Sequence, residues 1–374
     1  MIMENGIFFP GIHAFFGNIP SGFTIFGFEI KIYAIMVFIG FVLAYKIAQF
    51  IGKKEGISDE LYLDFFLAMV IPSIVGARLY YILFRLPNYT SGTFGENLLA
   101  MVNIRQGGLA VYGGLIAGTI TAFIFCKVKK ISAGRFADTI FPGVLIGQML
   151  GRWGNFFNRE AFGGFTKSFL RMAIPVNYFD KQGTLAYYLD EGIITNDMLT
   201  NMEQVKEQTC ITVWPTFLLE GMCCLTAFII LMLYRKHKKF DGEITLLYAM
   251  FYGLGRFGVE ALRTDSLMAG SLKISQVLAA VCVAVSLGLI IYIRISGKGR
   301  LDTAPILPPD NASGGGKVED ESPEDKSDDA SGGNEVEDES PEDKSNDASR
   351  GAKVEDESHE DKPDNVSGGT QSHK

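Results

Sequence analysis

The 374 residues are 48% hydrophobic with a formal net charge of −8. That average hides two materials, because residues 1–300 hold 27 basic and 20 acidic side chains and residues 301–374 hold 7 and 22. Nearly every large apolar residue lies in the first part, in runs longer than a soluble core helix needs, which excludes an ordinary cytosolic enzyme.

In chain order, seven stretches are long enough to cross about 30 Å of hydrocarbon at about 1.5 Å per residue. They lie near 30–50, 61–85, 107–126, 137–151, 211–234, 243–262 and 274–294. The fourth is short and contains Pro142, Gly143 and Gly147, so it is expected to be tilted, broken or shielded by protein. Residues 1–29 lack the basic start, apolar stretch and small-residue site of a cleavable signal peptide.

Loop charge orients these spans, since short cytoplasmic loops collect Lys and Arg. Clusters at Lys53/Lys54, Lys127/Lys129/Lys130/Arg135, Arg235/Lys236/Lys238/Lys239 and Arg294/Lys298/Arg300 follow spans one, three, five and seven. Only Arg85 and Arg105 lie between spans two and three. The expectation is an all-α integral membrane protein of seven transmembrane helices in the cell membrane, amino terminus outside and carboxyl terminus cytoplasmic. Residues 1–300 form the membrane domain, with 161–210 inserted as a small extracytoplasmic head. Residues 301–374 form an acidic tail in which the ten residues from Val318 recur from Val336 and drift from Val354, a period of 18. These repeats have no apolar face to bury, so disorder is expected. The acidic balance belongs to this tail, and no nucleic-acid partner is expected.

Of five cysteines, Cys126, Cys223, Cys224 and Cys282 lie in apolar stretches and Cys210 is flanked by polar sequence. Neither a disulfide framework nor a zinc spacing follows, so no metal or cofactor is expected. The histidines His13, His237, His359 and His373 all fall outside the apolar spans.

Polar residues inside spans cost roughly 2.5–3.5 kcal/mol when charged, which makes them functional candidates. Tyr33 lies early in the first span and Arg78 near the outer end of the second. The third opens with Gln106-Gly-Gly-Leu-Ala-Val-Tyr112-Gly-Gly, where glycines permit close approach of a backbone or a ligand. Where the fourth emerges, Arg152, Asn155, Asn158 and Glu160 offer donors and a carboxylate at head-group depth, suited to a phosphate. An anchor belt with Trp153 is the alternative there. Glu220 follows Trp214-Pro215 in the fifth.

In the sixth span Tyr252, Arg256, Glu260 and Arg263 stand at offsets 0, 4, 8 and 11, within about an 80° arc. The structural alternative is a salt bridge from Glu260 to either arginine, with Arg263 snorkelling outward. The spacing Gly253-x-Gly255-x-x-Gly258 mimics a dinucleotide fingerprint but lacks the strand that motif requires, so helix packing explains it. Together these residues describe one polar cavity opening toward the outer leaflet.

Three segments resemble a known family. Gly151-Arg-Trp-Gly-Asn-Phe-Phe-Asn-Arg-Glu-Ala-Phe-Gly163, Tyr252 to Arg263 and Gly107-Gly-Leu-Ala-Val-Tyr-Gly-Gly are similar to the hallmarks of prolipoprotein diacylglyceryl transferases, over about residues 33–295. The resemblance implies transfer of diacylglyceryl from phosphatidylglycerol to the lipobox cysteine of a prolipoprotein, forming a thioether as glycerol phosphate leaves. The partners it implies are phosphatidylglycerol, prolipoprotein signal peptides and membrane lipid. It carries catalytic roles to Arg152 and Arg256, with Tyr252 and Asn155 beside them, and Tyr112 is a further catalytic candidate. Lipid contacts fall to Arg152, Asn155, Glu160, Tyr33, Arg78, Glu220, Glu260 and Arg263. Tyr112 stands where the family usually has His, and Trp214-Pro215 with Phe217 and Leu219 where it usually has His-Pro with Gln and Tyr. Arginine electrostatics, Tyr112, or a carboxylate such as Glu160 or Glu260 are left to replace that base; the alternatives are a weak or inactive homologue, or a lipid-binding or transport protein using the same polar cavity.

Overall fold

The computed structural model describes residues 6–90, 93–104, 107–297, 299 and 301. The expectations for Arg105, Gln106, Lys298, Arg300 and the tail lie outside these residues. Strands β1 (Ile7–Phe9), β2 (Ala14–Phe16), β3 (Gly22–Ile25) and β4 (Phe28–Lys31) lead into α1 (Ile32–Lys54) and α2 (Asp59–Phe84). The short α3 (Phe94–Val102) precedes α4 (Val111–Val128) and α5 (Ala133–Asn158). Next come β5 (Met172–Pro175), α6 (Val176–Lys181), α7 (Leu185–Asp190), α8 (Asn196–Thr200), β6 (Glu203–Val205) and β7 (Gln208–Val213). The chain continues through α9 (Thr216–Tyr234), α10 (Glu243–Leu262), β8 (Met268–Ala269), β9 (Leu272–Lys273) and α11 (Ile274–Ser296).

Among the described residues five helices are long and apolar enough to cross a membrane: α1, α2, α4, α9 with the turn after it, and α11. Their large apolar side chains, Phe38, Leu67, Ile71 and Phe123 among them, point outward and exposed, as a surface solvated by lipid requires. Helices α5 and α10 are equally long but carry Arg135, Asp138, Arg152, Glu243, Arg256 and Glu260, and the polar site is built on them. The fourth apolar stretch, read as short, is an unbroken 26-residue helix running through Pro142. Protein shields it, since α5 packs against α1, α9 and α10. Small residues make the approach to α1 possible: a Cβ added at Gly143 would meet the Ala44 carbonyl oxygen at 2.6 Å.

The all-helical expectation is corrected by a five-stranded sheet of order β2-β1-β5-β7-β6, antiparallel throughout. Two of its strands come from the amino-terminal segment, joined to β5 where Phe8 pairs with Ala173. Ile7, Phe9, Met172, Ile174, Ile211 and Val213 form its core together with Phe156 at the end of α5. Ile7-Phe8-Phe9 is buried on both faces, and a three-residue strand of that kind offers no period-two pattern to read. Burial also pushes the Cys210 thiol of β7 up to about 12.

Three polar rungs fix α10 against α5. At one end Asp138 accepts from the Gly242 and Thr245 backbone N–H groups and the Thr245 hydroxyl, each at 2.9 Å, satisfying donors that the first turn of α10 leaves unpaired. Midway, Gln148 Nε2 donates to the Tyr248 hydroxyl at 3.0 Å. The third rung joins Arg152 to Arg256 and belongs to the candidate site.

Candidate active site

Glu220 sits one turn into α9, buried, between two guanidinium groups. Its Oε1 lies 3.1 Å from Arg152 Nε on α5, and its Oε2 accepts from Arg256 Nη1 on α10 at 3.1 Å. Arg256 Nη2 is in turn 2.6 Å from Glu260 Oε2, an ion pair off the hydrogen-bond axis. One carboxylate thus joins three helices far apart in sequence. Both arginines lie about 10 Å below the ends of their helices, from the residue count and the helical rise. Their side chains are 24% and 16% exposed, so the site is recessed yet open. Gly255 lets α9 and α10 come together, since a Cβ there would meet Cys223 Cβ at 2.9 Å.

A second set of polar groups extends the network toward the sheet. Arg152 Nη1 donates to Asn155 Oδ1 at 3.2 Å, and Asn155 Nδ2 donates to Glu160 Oε1 at 2.9 Å. Asn158 Nδ2 reaches the same oxygen at 3.2 Å. Glu160 folds back over Asn155 because Arg159, at φ 52° and ψ 44°, ends α5 in the left-handed conformation. A non-glycine residue held there needs support from its surroundings. Arg159 has it: the side chain is buried, donates to the Phe157 and Ile19 carbonyls at 2.9 and 2.8 Å, and lies 4.2 Å over the Tyr178 ring. Sequence reading placed Arg159 in the motif without a role, because its carbonyl partners carry no sequence signature.

Tyr252 stacks parallel to Tyr248 at 6.0 Å and lies within electrostatic range of Glu220, Arg152 and Arg256. Tyr33 covers the Arg152 turn from α1, where a Cβ on Gly154 would meet Tyr33 Cδ2 at 2.5 Å. Arg152, Asn155, Glu160, Glu220, Tyr252, Arg256 and Glu260 therefore form one connected site, with Tyr33 at its wall. Glu160, Glu220 and Glu260 outnumber Arg152 and Arg256, so the polar cavity holds a network of paired charge. Arg152 Nη2 has no hydrogen-bond partner among the described residues and remains available to an anion.

Other candidates stand apart. Arg78 was expected at the lipid site, but all five of its N–H donors go to backbone carbonyls: Nε to Met101, Nη1 to Gly107 and Gly108, and Nη2 to Ala100 and Asn103, at 2.8–3.0 Å. It clamps the loop between α3 and α4 and has no donor left for a phosphate. Gly108 is required there, with φ +81° and an added Cβ 2.3 Å from Arg78 Nη1. Arg263 was read as a continuation of the polar face of α10. The helix instead ends at Leu262, and Arg263, in extended backbone, forks onto Asp265 with Nε–Oδ1 2.8 Å and Nη2–Oδ2 2.7 Å. That bidentate pairing was missed because Asp265 lies beyond the helical repeat. Tyr112, in the first turn of α4, is 40% exposed and makes no hydrogen bond among the described residues.

A family model described as prolipoprotein diacylglyceryl transferase matches residues 20–292. A phosphatidylglycerol–prolipoprotein diacylglyceryl transferase of Finegoldia magna is 36% identical over 273 residues, covering 73% of this chain and 94% of the relative. Transferases of the same name from Clostridium perfringens and Lysinibacillus sphaericus are 35% and 36% identical over 283 and 281 residues. Each covers 75% of this chain, and 97% and 93% of the respective relative.

Proposed function

The chain belongs to the prolipoprotein diacylglyceryl transferase family, and from that premise we propose that the Arg152–Glu220–Arg256 bridge is its catalytic centre. The reaction moves a diacylglyceryl group from phosphatidylglycerol to a prolipoprotein. The acceptor is the lipobox cysteine within the signal peptide. Its sulfur forms a bond to the terminal glycerol carbon of the diacylglyceryl group, the carbon–oxygen bond to phosphate breaks, and glycerol phosphate leaves with the electron pair.

The observation that carries this reading is the shared carboxylate with a free guanidinium edge beside it. Phosphate binds at Arg152 Nη2, the edge that neither Glu220 nor Asn155 occupies, and Arg152 holds it as negative charge builds on the leaving oxygen. Asn155 and Glu160 keep that guanidinium in place. Arg256 faces the acceptor, where a cation raises the thiolate fraction of a cysteine whose ordinary pKa is about 8.5. Tyr252 lines the passage between the two. Met222, Cys223, Thr226, Ile230 and Phe251 line an apolar recess beside Gly255, suited to an acyl chain of the donor.

A general base must reach the proton it takes, directly or through one water. Glu220 and Glu260 both stand beside Arg256, where the acceptor is placed, whereas Tyr112 makes no hydrogen bond among the described residues. Tyr112 is therefore assigned to lining the cavity.

All seven long helices cross the cell membrane in this reading. The sheet and the amino terminus lie outside, where prolipoproteins are met, and the basic loops lie in the cytoplasm. Residues 161–210 form the head, and the carboxyl terminus is cytoplasmic. The test is transfer of labelled diacylglyceryl from phosphatidylglycerol vesicles to a lipobox peptide by the reconstituted chain. Full activity after Arg152→Ala or Arg256→Ala would overturn the assignment.

A further inference from the structure

The strands β3 and β4 form a two-stranded sheet of their own, and such an isolated hairpin is marginal in water. Opposite residues of an antiparallel pair share a face. The register pairs Phe23 with Ile30 and Ile25 with Phe28, while Thr24 faces Glu29 and Gly22 faces Lys31. One face is thus wholly apolar and the other polar. Its principal neighbours are the first residues of α1, and Phe23, Ile25 and Phe28 remain exposed.

The turn is stranger still. Phe26 and Gly27 both have positive φ, 49° and 80°, a two-residue turn that favours Asn-Gly and in which a bulky side chain is an outlier. Phe26 is 98% exposed. In water this residue is unfavourable twice over, through its backbone and its exposure. In lipid the exposure becomes favourable burial.

We propose that the β3–β4 hairpin is a lipid-binding finger, with Phe26 and the face formed by Phe23, Ile25, Phe28 and Ile30 lodged in the head-group and acyl boundary of the leaflet that meets the start of α1. Continuity with the membrane-crossing helix supports this occupant. Lys31 closes β4 and is also the N-cap of α1, and Ile32 N–H donates to the Ser21 carbonyl at 2.9 Å, so no linker separates finger from span. The polar face, with its Glu29–Lys31 ion pair, turns toward water. At the same end of the bundle α3 also leaves Phe94, Leu98, Leu99 and Val102 exposed. The inference rests on α1 crossing a membrane and not on the transfer chemistry.

The test places tryptophan on the full chain in vesicles containing phosphatidylglycerol, reading the emission that Phe26→Trp or Phe28→Trp adds to the wild-type signal. Lipid brominated near the glycerol end of its acyl chains should remove about half or more of that emission, the depth expected of an interfacial element, and aqueous iodide should leave it unchanged. Thr24→Trp, on the opposite face, should show the reverse. Iodide quenching at positions 26 and 28 without a bromolipid effect would place the finger in water and overturn the proposal. Insensitivity to both quenchers would show the face covered by protein, and would overturn it equally. Since no arm reads transfer, the outcome is separable from the fate of the catalytic assignment.

Discussion

Glu220→Gln is the sharpest perturbation of the site. One carboxylate oxygen lies 3.1 Å from Arg152 Nε, the other accepts from Arg256 Nη1 at 3.1 Å, and the side chain is 3% exposed. An amide of the same shape has a single acceptor oxygen, so its NH2 must face one guanidinium, donor against donor. Removing one partner from a buried pair costs about 3–5 kcal/mol. Arg152 keeps Asn155 and Arg256 keeps Glu260, which puts the loss at the lower end, about 3 kcal/mol. If that loss falls on the transition state, kcat/KM drops on the order of 100-fold. The assay is initial-rate transfer to a lipobox peptide over a range of phosphatidylglycerol densities, with thermal melting followed in parallel. An unchanged Tm with the rate loss locates the effect in the site. Glu260→Gln touches Arg256 alone and should lose less. A Glu220→Gln enzyme within threefold of wild type would refute the bridging argument.

Arg256→Lys should lose transfer nearly as fully as Arg256→Ala, because one ammonium cannot reproduce separate nitrogens aimed at Glu220 and Glu260; a retained rate in the same assay contradicts this. Tyr112→Phe should keep transfer within about threefold, as expected of a phenol outside the hydrogen-bond reach a base needs, while a loss comparable to that of Arg256→Ala would install Tyr112 as the base. Arg78→Lys replaces five donors by three, leaving about two carbonyls of the α3–α4 loop without charge-assisted bonds worth roughly 1.5–3 kcal/mol each. Hydrogen exchange over residues 99–103 should quicken, and unchanged protection would contradict the clamp. The Cys210 thiol, pushed up to about 12 by burial, stays protonated at pH 8 apart from about one molecule in ten thousand. It should resist alkylation in the folded protein and react after denaturation, and labelling at the rate of a free cysteine would show the head is open.

The comparison of sequence with structure divides along one physical line. Hydropathy and charge are properties of single residues summed over short windows, so the apolar runs, the basic loops and the polar positions Arg152, Glu220, Arg256 and Glu260 were legible without coordinates. Hydrogen-bond partners are not local. Backbone carbonyls are present at every residue and mark nothing in the sequence, which is why Arg78 read as a ligand for phosphate although it holds a loop, and why Arg159 went unassigned. Arg263 left the expected face because its bidentate partner, Asp265, follows the end of the helix. The amino-terminal strand Ile7–Phe9 was invisible since three residues buried on both faces carry no period-two pattern, and besides the adjacent β2 it pairs with Ala173, more than 160 residues away. The sequence by itself determined which runs are apolar enough to cross a membrane and which side chains within them are too polar to face lipid. Only tertiary packing, by bringing α9 between α5 and α10, decided that one carboxylate would bind both arginines and leave a guanidinium edge open.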